Sequence, residues 1–515
     1  MDAKPPESTA TAPATEKSQP SASAMDAGRI KSWWLVALGP AAALALALLL
    51  PNSLAMEGRA IAGVGLWMAL WWMTEAVPIP VTSFLPLVMF PLFSSMTFGE
   101  VAAPYASSVI FLVLGGVILG LATEKSALHV RIALLTIKVV GTKPAQIVFG
   151  LMLAAAFVSA WVSNTASAVI MVPIAVSISA LVAKVSGRKD TKFTVSMLLG
   201  VAYGVTIGST ATLIGQPPMA LMKAYLLESH DYDMAFGRWM IVGVPWAIVM
   251  LAIAWLVLTK LVFRAETKEI PGGKEMIDGE LRKLGKMSPA ETRVAIIFAT
   301  AIFFWVFVPF IADIPAVAEA VPWLGGLSDS QIAMFAAIAC FIVPSGMGNR
   351  GDSTGNHSPL LTWSAAKEIP WGLLILFGGG LSLSEAFTVT GFSEWIGSQV
   401  EVLQFLPTWA IVLVVVIISL VLTELTSNTA TAAAFFPIFG AVAVGLGMDP
   451  VLMTIAVTLA VCSAYMLPVA TPSNAVAFAS GQVTIKQMMR AGVWLNLISL
   501  GVLMLFLYTL VPLVF

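Results

Sequence analysis

Ser163-Asn164-Thr165-Ala166-Ser167-Ala168 recurs as Ser427-Asn428-Thr429-Ala430-Thr431-Ala432, 264 positions further along the chain. Pro173 recurs as Pro437 at the same offset, and Leu114-Gly115-Gly116 recurs as Phe377-Gly378-Gly379 at 263. Three matches in one order at nearly one spacing mark an internal duplication. Each tripeptide lies in the middle of an apolar segment, 144–183 in the first copy and 408–447 in the second. The fold follows from asking which side of a membrane those segments enter.

Working outward, the rest of the chain is equally apolar. Of 515 residues, 58% are hydrophobic and 11% charged, against about a quarter charged in a soluble protein. The formal net charge of −1 gives nucleic acid no electrostatic footing. Cys340 and Cys462 both sit in apolar runs and read as small buried hydrophobes rather than a disulfide framework. His129, His230 and His357 lack ligand spacing for a metal. Residues 1–32, rich in Ala, Ser, Thr and Pro, read as a disordered cytoplasmic tail. Arg29 and Lys31 then precede an apolar run with no cleavage pattern, so no cleavable signal is expected.

Apolar runs of roughly the length of a hydrocarbon core lie near 33–51, 60–76, 78–93, 106–122, 194–225, 239–259, 294–312, 331–345, 371–388, 451–482 and 493–514. Loop charge orients them, because basic loops stay in the cytoplasm. Lys125, Arg131, Lys138 and Lys143 mark an inside stretch, as do Lys184, Arg188, Lys189 and Lys192. The polar loop 260–293 carries eight basic residues and faces inside; 313–330 holds Asp313, Glu319 and Asp329 with no Lys or Arg and faces out. Arg350, Lys367, Lys486 and Arg490 complete the inside set. Eleven crossings satisfy every loop, with the N-terminus cytoplasmic and Phe515 outside. The expected organisation is a first half 33–262, a cytoplasmic linker 263–293 and a second half 294–515.

Segments 144–183 and 408–447 are left over. Basic residues flank the first, so both its ends face inside; Glu401 and Asp449 flank the second with no basic residue, so both its ends face out. Two full spans would put each tripeptide in the opposite headgroup region. A re-entrant hairpin would put it inside the membrane, where irregular backbone persists only against protein or a water-filled cavity. The hairpin is the expected form, and it makes the two halves inverted copies. The expected fold class is therefore an all-α polytopic membrane protein, about eleven transmembrane helices plus two re-entrant helical hairpins in an inverted-topology repeat. That is the layout of secondary transporters, whose site lies at the repeat interface.

Each hairpin precedes a span broken by Gly or Pro: Gly215-Gln216-Pro217-Pro218, near 212–218, and Ala470-Thr471-Pro472-Ser473-Asn474, near 471–474. Proline frees a carbonyl in the preceding turn. Exposed carbonyls suit a hard cation, and helix N-termini suit an anion. Ser, Thr and Asn side chains serve either. One Ser-Asn-Thr reads as a helix cap; two at mirrored hairpin centres read as a site. No Lys, Arg or His lies in 154–180, 200–222, 420–445 or 460–482. A doubly charged anion there needs compensation, helix ends carry about half a charge each, and co-bound cations supply the rest. Glu75 and Glu424 are acids at intramembrane positions, read as structural hydrogen-bonding or span-end groups ahead of ion ligands. Gly346-Met-Gly348-Asn-Arg-Gly351 fits a dinucleotide pattern but is followed by loop-type sequence, so it carries no function here. No nucleophile with a base, and no metal cluster, suggests an enzyme.

These residues resemble the divalent anion:sodium symporter family, the sodium-coupled di- and tricarboxylate transporters. The marks are Trp72-Met-Thr-Glu75-Ala-Val-Pro78, Ser163-Asn164-Thr165, Thr212-Leu-Ile-Gly215, Phe377-Gly-Gly-Gly380-Leu, Thr423-Glu-Leu-Thr-Ser427-Asn428-Thr429 and Pro468-Val-Ala-Thr471-Pro472. The resemblance covers nearly the whole chain from Trp33 to Phe515. It implies a homodimer with elevator-type motion of transport domains against a scaffold, in the inner or plasma membrane, and substrates such as succinate, malate, fumarate, citrate or sulfate. It implies no cofactor beyond co-transported sodium. By motif position, one sodium site takes Ser159, Ser163, Asn164 and backbone near Gly215; the other takes Thr423, Thr426, Asn428 and backbone near Ala470. The substrate meets Ser163, Asn164, Thr165, Gly215, Gln216, Ser427, Asn428, Thr429, Thr471 and Pro472. The family usually has Ser or Thr at Gln216, Asn at Met219, and often Pro at Ser473. Some relatives exchange anions without sodium, so sodium-independent exchange stays open beside symport, with a channel as a third reading.

Overall fold

Prolines at first helical positions and small polar caps set most of the element boundaries in the computed structural model, which describes residues 32–140, 143–186, 190–266, 273–346 and 358–515. The expected tail, Arg188, Lys189, Arg350 and residues 347–351 of the glycine pattern lie outside the described residues.

The first half opens with α1 (Trp33–Leu49) against α2 (Met56–Thr74), then the proline-punctuated α3 (Ile79–Thr82) and α4 (Leu85–Phe93). The short α5 (Phe98–Ala102) leads into α6 (Ser108–Lys125), and α7 (Leu128–Val140) follows. Next come α8 (Pro144–Ser159), α9 (Asn164–Ser186), α10 (Thr191–Gly208), α11 (Pro217–His230) and α12 (Phe236–Leu256). The second half follows α13 (Gly273–Leu284) with α14 (Pro289–Ala312), α15 (Pro315–Ala320), α16 (Asp329–Ile342), α17 (Trp371–Val389) and α18 (Phe392–Val400). It ends with α19 (Thr408–Thr423), α20 (Asn428–Gly445), α21 (Pro450–Val461), α22 (Pro472–Ala479), α23 (Ile485–Thr509) and α24 (Val511–Val514). Among the described residues the only β pairing is an isolated bridge between Pro344 and Pro359.

Local sequence explains these starts. Thr97/Glu100, Ser288/Glu291, Ser328/Gln331 and Thr484/Gln487 form reciprocal capping boxes. Pro217, Pro289, Pro450 and Pro472 occupy first helical positions, where the missing N–H loses nothing.

Among the described residues eight helices are long and apolar enough to cross a bilayer, or nine if the pair 392–405 and 408–423, bent by 120°, counts as one. The eleven expected crossings include apolar runs that form shorter or interrupted helices. α1, α3–α4, α16 and α21 are apolar but short, and two long helices, α9 and α20, are the second arms of the expected hairpins.

One feature adds to the sequence reading and one differs from it. The basic stretch after Lys125 is helical. His129, Ala133, Leu134 and Ile137 are buried at helical spacing, while Arg131 reaches Glu291 at 2.7 Å and Lys138 reaches Asp278 at 2.8 Å. The second break lies upstream of its expected position. Cys462–Thr471 is the irregular stretch and Pro472 already starts a helix.

The repeat extends to packing. α6 and α17, which carry the matched glycines, each insert into neighbouring backbone. A Cβ at Gly115 would meet the backbone of Ala333 at 2.6 Å, and one at Gly379 the backbone O of Ser83 at 2.7 Å. Side chains of any size would drive these helices off their neighbours.

Candidate functional site

Both tripeptides fall at the turn between two helices and start the second one. Asn164 opens α9 and Asn428 opens α20. Ser163 Oγ accepts the Ala166 N–H at 3.3 Å, the N-cap bond its residue type favours. The backbone carbonyl of Ser427 starts the ladder of α20, accepting from Thr431 N at 2.9 Å. At each start the first N–H groups have no intrahelical partner, so each tripeptide presents a small positive site suited to a carboxylate or sulfate oxygen.

The hydroxyl just ahead of each turn makes the same contact in both halves. Ser159 Oγ donates to Val205 O, the last full turn of α10, at 2.8 Å. Thr423 Oγ1, at the position equivalent by the 264 offset, lies 2.8 Å from Val461 O at the end of α21 and 2.6 Å from Asn428 Oδ1. The duplicated sequence thus produces duplicated tertiary geometry, tying each turn to the helix that breaks after it. Thr426 Oγ1 reaches Leu422 O at 2.8 Å and Thr431 Oγ1 at 2.7 Å.

The breaks complete the site. After α10 a 3-10 turn over Ser209–Ala211 leads into the irregular residues 212–216. Gly215 is required there, because a Cβ would stand 2.2 Å from Ser209 O. Thr212 Oγ1 donates to Ala160 O, tying this break to the first turn. In the second half Thr471 caps α22 through the Asn474 N–H at 3.3 Å.

The two halves are crossed at this point. α22, which follows the second break, packs on α9, which starts with the first tripeptide. α11, which follows the first break, packs on α20, which starts with the second. Thr206 Oγ1 and Ser473 Oγ are 2.9 Å apart across the same seam. Elements of the two copies therefore pack against each other after both breaks, as at the repeat interface of secondary transporters.

Among the described residues ten buried side-chain atoms lack a hydrogen-bond partner, spread over several helices, and three of them belong to the tripeptides and breaks. Asn164 Oδ1, Gln216 Nε2 and Asn474 Oδ1 are buried with no hydrogen-bond partner. Such atoms are uncommon in a native structure and call for a partner such as water, an ion or a ligand. The first and third are bare oxygen acceptors, as a hard cation needs; the second is a bare donor, as an anion needs. Gln216 is 4% exposed and, unlike Thr471, makes no capping bond with its side chain. The aromatic packing behind the first turn is equally specific: Trp161 stacks on Phe236, and Phe236 on Trp305 at 4.8 Å between centroids.

Glu75 ends α2 in the left-handed region at φ 48° and is exposed, a span-end position. Sequence reasoning missed the Thr206–Ser473 contact and the bare carbonyl of Asn474, whose only signal was their place beside a named break.

An all-helical chain with two broken helices crossed against two polar turns has the architecture of a secondary transporter. The comparisons agree. Residues 30–514 match the family described as the sodium:sulfate symporter transmembrane region, and the chain belongs to that family. It is a multi-pass membrane transporter and not an enzyme. It is 39% identical over 474 residues to the sodium-dependent dicarboxylate transporter SdcS of Staphylococcus saprophyticus, covering 91% of this chain and 89% of that one. It is 40% identical over 469 residues to the protein of that name in Staphylococcus aureus strain USA300, covering 90% and 88%. The fold is also similar to the Alcanivorax borkumensis YdaH transporter, with TM-score 0.56 at 14% identity over 87% of this chain and 98% of that one. The Neisseria gonorrhoeae MtrF structure gives TM-score 0.55 at 14% identity over 92% and 94%.

Proposed function

We propose that this protein is a sodium-coupled symporter that imports C4-dicarboxylates. The observation that carries the reading is the seam itself: two helix N-termini, bare Asn oxygens and a bare Gln donor, with no basic side chain in the four segments that meet there. The anion meets amides and hydroxyls of Ser163, Asn164, Thr165, Gln216, Ser427, Asn428, Thr429 and Thr471, with Gly215 and Pro472 shaping the breaks. Sodium meets Ser159, Ser163, Asn164 and Gly215 in one half and Thr423, Thr426, Asn428 and Ala470 in the other. Its charge offsets that of the substrate where no Lys or Arg does. The names of the SdcS relatives support both ligands. Uptake of labelled succinate into proteoliposomes should require an inward sodium gradient; equal uptake with potassium in its place would leave sodium-independent exchange as the mechanism.

The same reading makes 144–183 and 408–447 re-entrant hairpins of opposite hand in a homodimer, with the N-terminus cytoplasmic and the C-terminus outside. Single cysteines near Lys143 and Lys189, in a chain lacking Cys340 and Cys462, should resist an impermeant thiol reagent added to sealed cells. Cysteines near Glu401 and Asp449 should react. Outside labelling of the first pair would overturn the inverted arrangement.

Gln216 sets substrate choice. Its amide is larger than the Ser or Thr usual in the family, and its Nε2 is unspent. A site built to pair a polar group discriminates strongly against analogues that leave it unpaired. Gln216→Ser should change the ranking among succinate, malate, tartrate and citrate by roughly tenfold, a difference of about 1.4 kcal/mol, with sodium dependence hardly moved. Competition of each unlabelled acid against labelled substrate checks this; an unchanged ranking would remove Gln216 from the substrate site.

A further inference from the structure

The two breaks are built differently. The first contains a 3-10 turn; the second, Cys462–Thr471, has only an isolated turn, with Ala470 N donating to Leu467 O at 3.3 Å, and leaves the N–H groups of Tyr465, Met466 and Leu467 to be satisfied elsewhere. Glu424 satisfies them. It follows Thr423 at the second turn, is 5% exposed, and has no counterpart in the first half, where Ala160 holds the equivalent position. Its Oε1 accepts from Tyr465 N at 2.8 Å, Met466 N at 3.0 Å and Asn496 Nδ2 at 2.6 Å. Its Oε2 accepts from Met466 N at 3.1 Å and Leu467 N at 3.2 Å.

A carboxylate offers about four lone-pair sites, and these donors fill them. No open face is left for a cation. Trans peptides point C=O opposite to N–H, so the carbonyls of Ala464, Tyr465 and Met466 are turned away from the carboxylate. The next link is Leu467, whose carbonyl accepts from Asn474 Nδ2 at 3.0 Å in the first turn of α22. Ala470 and Thr471 are thereby held between two anchored points, Leu467 and Asn474.

We infer that Glu424 is the positioning residue of the second sodium site and not one of its ligands. The carboxylate fixes the backbone of 465–467 and, through Leu467 and Asn474, places Ala470 and Thr471. This rests on the sodium reading given above. Asn496, on α23, orients the carboxylate from behind and extends the support to an element outside the seam.

Glu424→Gln keeps the size but turns an amide NH2 toward backbone N–H groups, donor against donor. Sodium for half-maximal uptake should rise by about 10- to 100-fold, the usual effect of losing a group that orients metal ligands. The number of charges moved per substrate should stay the same. Glu424→Asp, one methylene shorter with the charge retained, should fall between wild type and Glu424→Gln.

Cys462, 1% exposed at the start of the break, is the structural reporter. With Cys340 replaced by Ala, Cys462 in purified wild-type protein should resist N-ethylmaleimide in the absence of sodium and become reactive in Glu424→Gln. With Cys462 replaced instead, Cys340 in α16 should stay unreactive in both. Unchanged sodium dependence would overturn the proposal. So would a weakened sodium response with Cys462 still protected, which would make the carboxylate a direct ligand. Labelling of both cysteines in Glu424→Gln would also overturn it, showing general loss of structure. The labelling is read without sodium or transport, so wild-type uptake indifferent to sodium would sink the symport reading while leaving the link from Glu424 to the backbone separately decided.

Discussion

Asn164→Ala and Asn428→Ala should each reduce uptake by roughly 10²- to 10⁴-fold while the protein stays folded. Each asparagine opens a helix at the seam between the two repeats. In the proposed site each gives its carbonyl oxygen to sodium and its amide to the substrate. A hydrogen bond to a charged group contributes about 1.5–3 kcal/mol, and losing two at once gives about 3–6 kcal/mol, the range just stated. The two variants should differ in one respect. Asn164 Oδ1 has no partner in the protein, so its removal strands nothing. Asn428 Oδ1 lies 2.6 Å from Thr423 Oγ1, which keeps Val461 O as a second acceptor when the asparagine is gone. Neither truncation leaves a buried donor unpaired, so thermal stability should change little in either. Uptake assays on variants whose size-exclusion profile matches wild type test the assignment. Two variants with normal uptake and unchanged sodium dependence would remove both residues from the site.

The duplicated tripeptide predicted more than a motif. It marked the middles of two apolar segments, where the structure places a turn and starts α9 at Asn164 and α20 at Asn428. The prolines flagged two breaks, and Pro217 and Pro472 open the helices that follow them, because proline fits a first helical position and little else in a helix. Those are local signals, written within a few residues. The support behind them is not local. Glu424 is held by Asn496, 72 positions away, and Thr206 meets Ser473 across 267; no pattern in either stretch points to the other. The length of the second break was hidden for the same reason. Cys462–Thr471 is apolar enough to continue a helix, and the buried carboxylate that accepts its N–H groups lies in the turn between α19 and α20. The helix α7 was legible in principle. Its buried positions recur at helical spacing, while Arg131 and Lys138 lie off that face and pair with Glu291 and Asp278.

The buried ion pair made by Lys223, midway along α11, should dominate stability. Lys223 is 3% exposed and spends all three of its donors: Asp233 Oδ1 at 2.7 Å, Asp329 Oδ2 at 2.8 Å and Met234 O at 2.8 Å. Asp329 Oδ2 also accepts Phe236 N at 3.1 Å, and its backbone carbonyl takes Trp305 Nε1 at 3.0 Å. The pair joins α11, which carries the first break toward α20, to α16, which packs on α6 and α14. Removing one partner leaves a charge buried beside too few hydrogen bonds. Breaking such a pair costs about 3–5 kcal/mol, so Lys223→Met and Asp329→Asn should each lower thermal stability sharply. Replacing both partners removes the stranded charge. In Lys223→Met with Asp329→Asn, the Asn oxygen still accepts the Phe236 N–H, so that donor is not orphaned. The double variant should recover most of what either single variant loses, because a buried ion pair is often no more stabilising than neutral groups of similar volume. A double-mutant cycle on thermal unfolding of the purified protein measures this coupling. Additive losses would show that Lys223 and Asp329 act independently. A recovered double variant that also transports at the wild-type rate would show that the charges serve stability alone, while a stable but slow one would show that transport uses the link between α11 and α16.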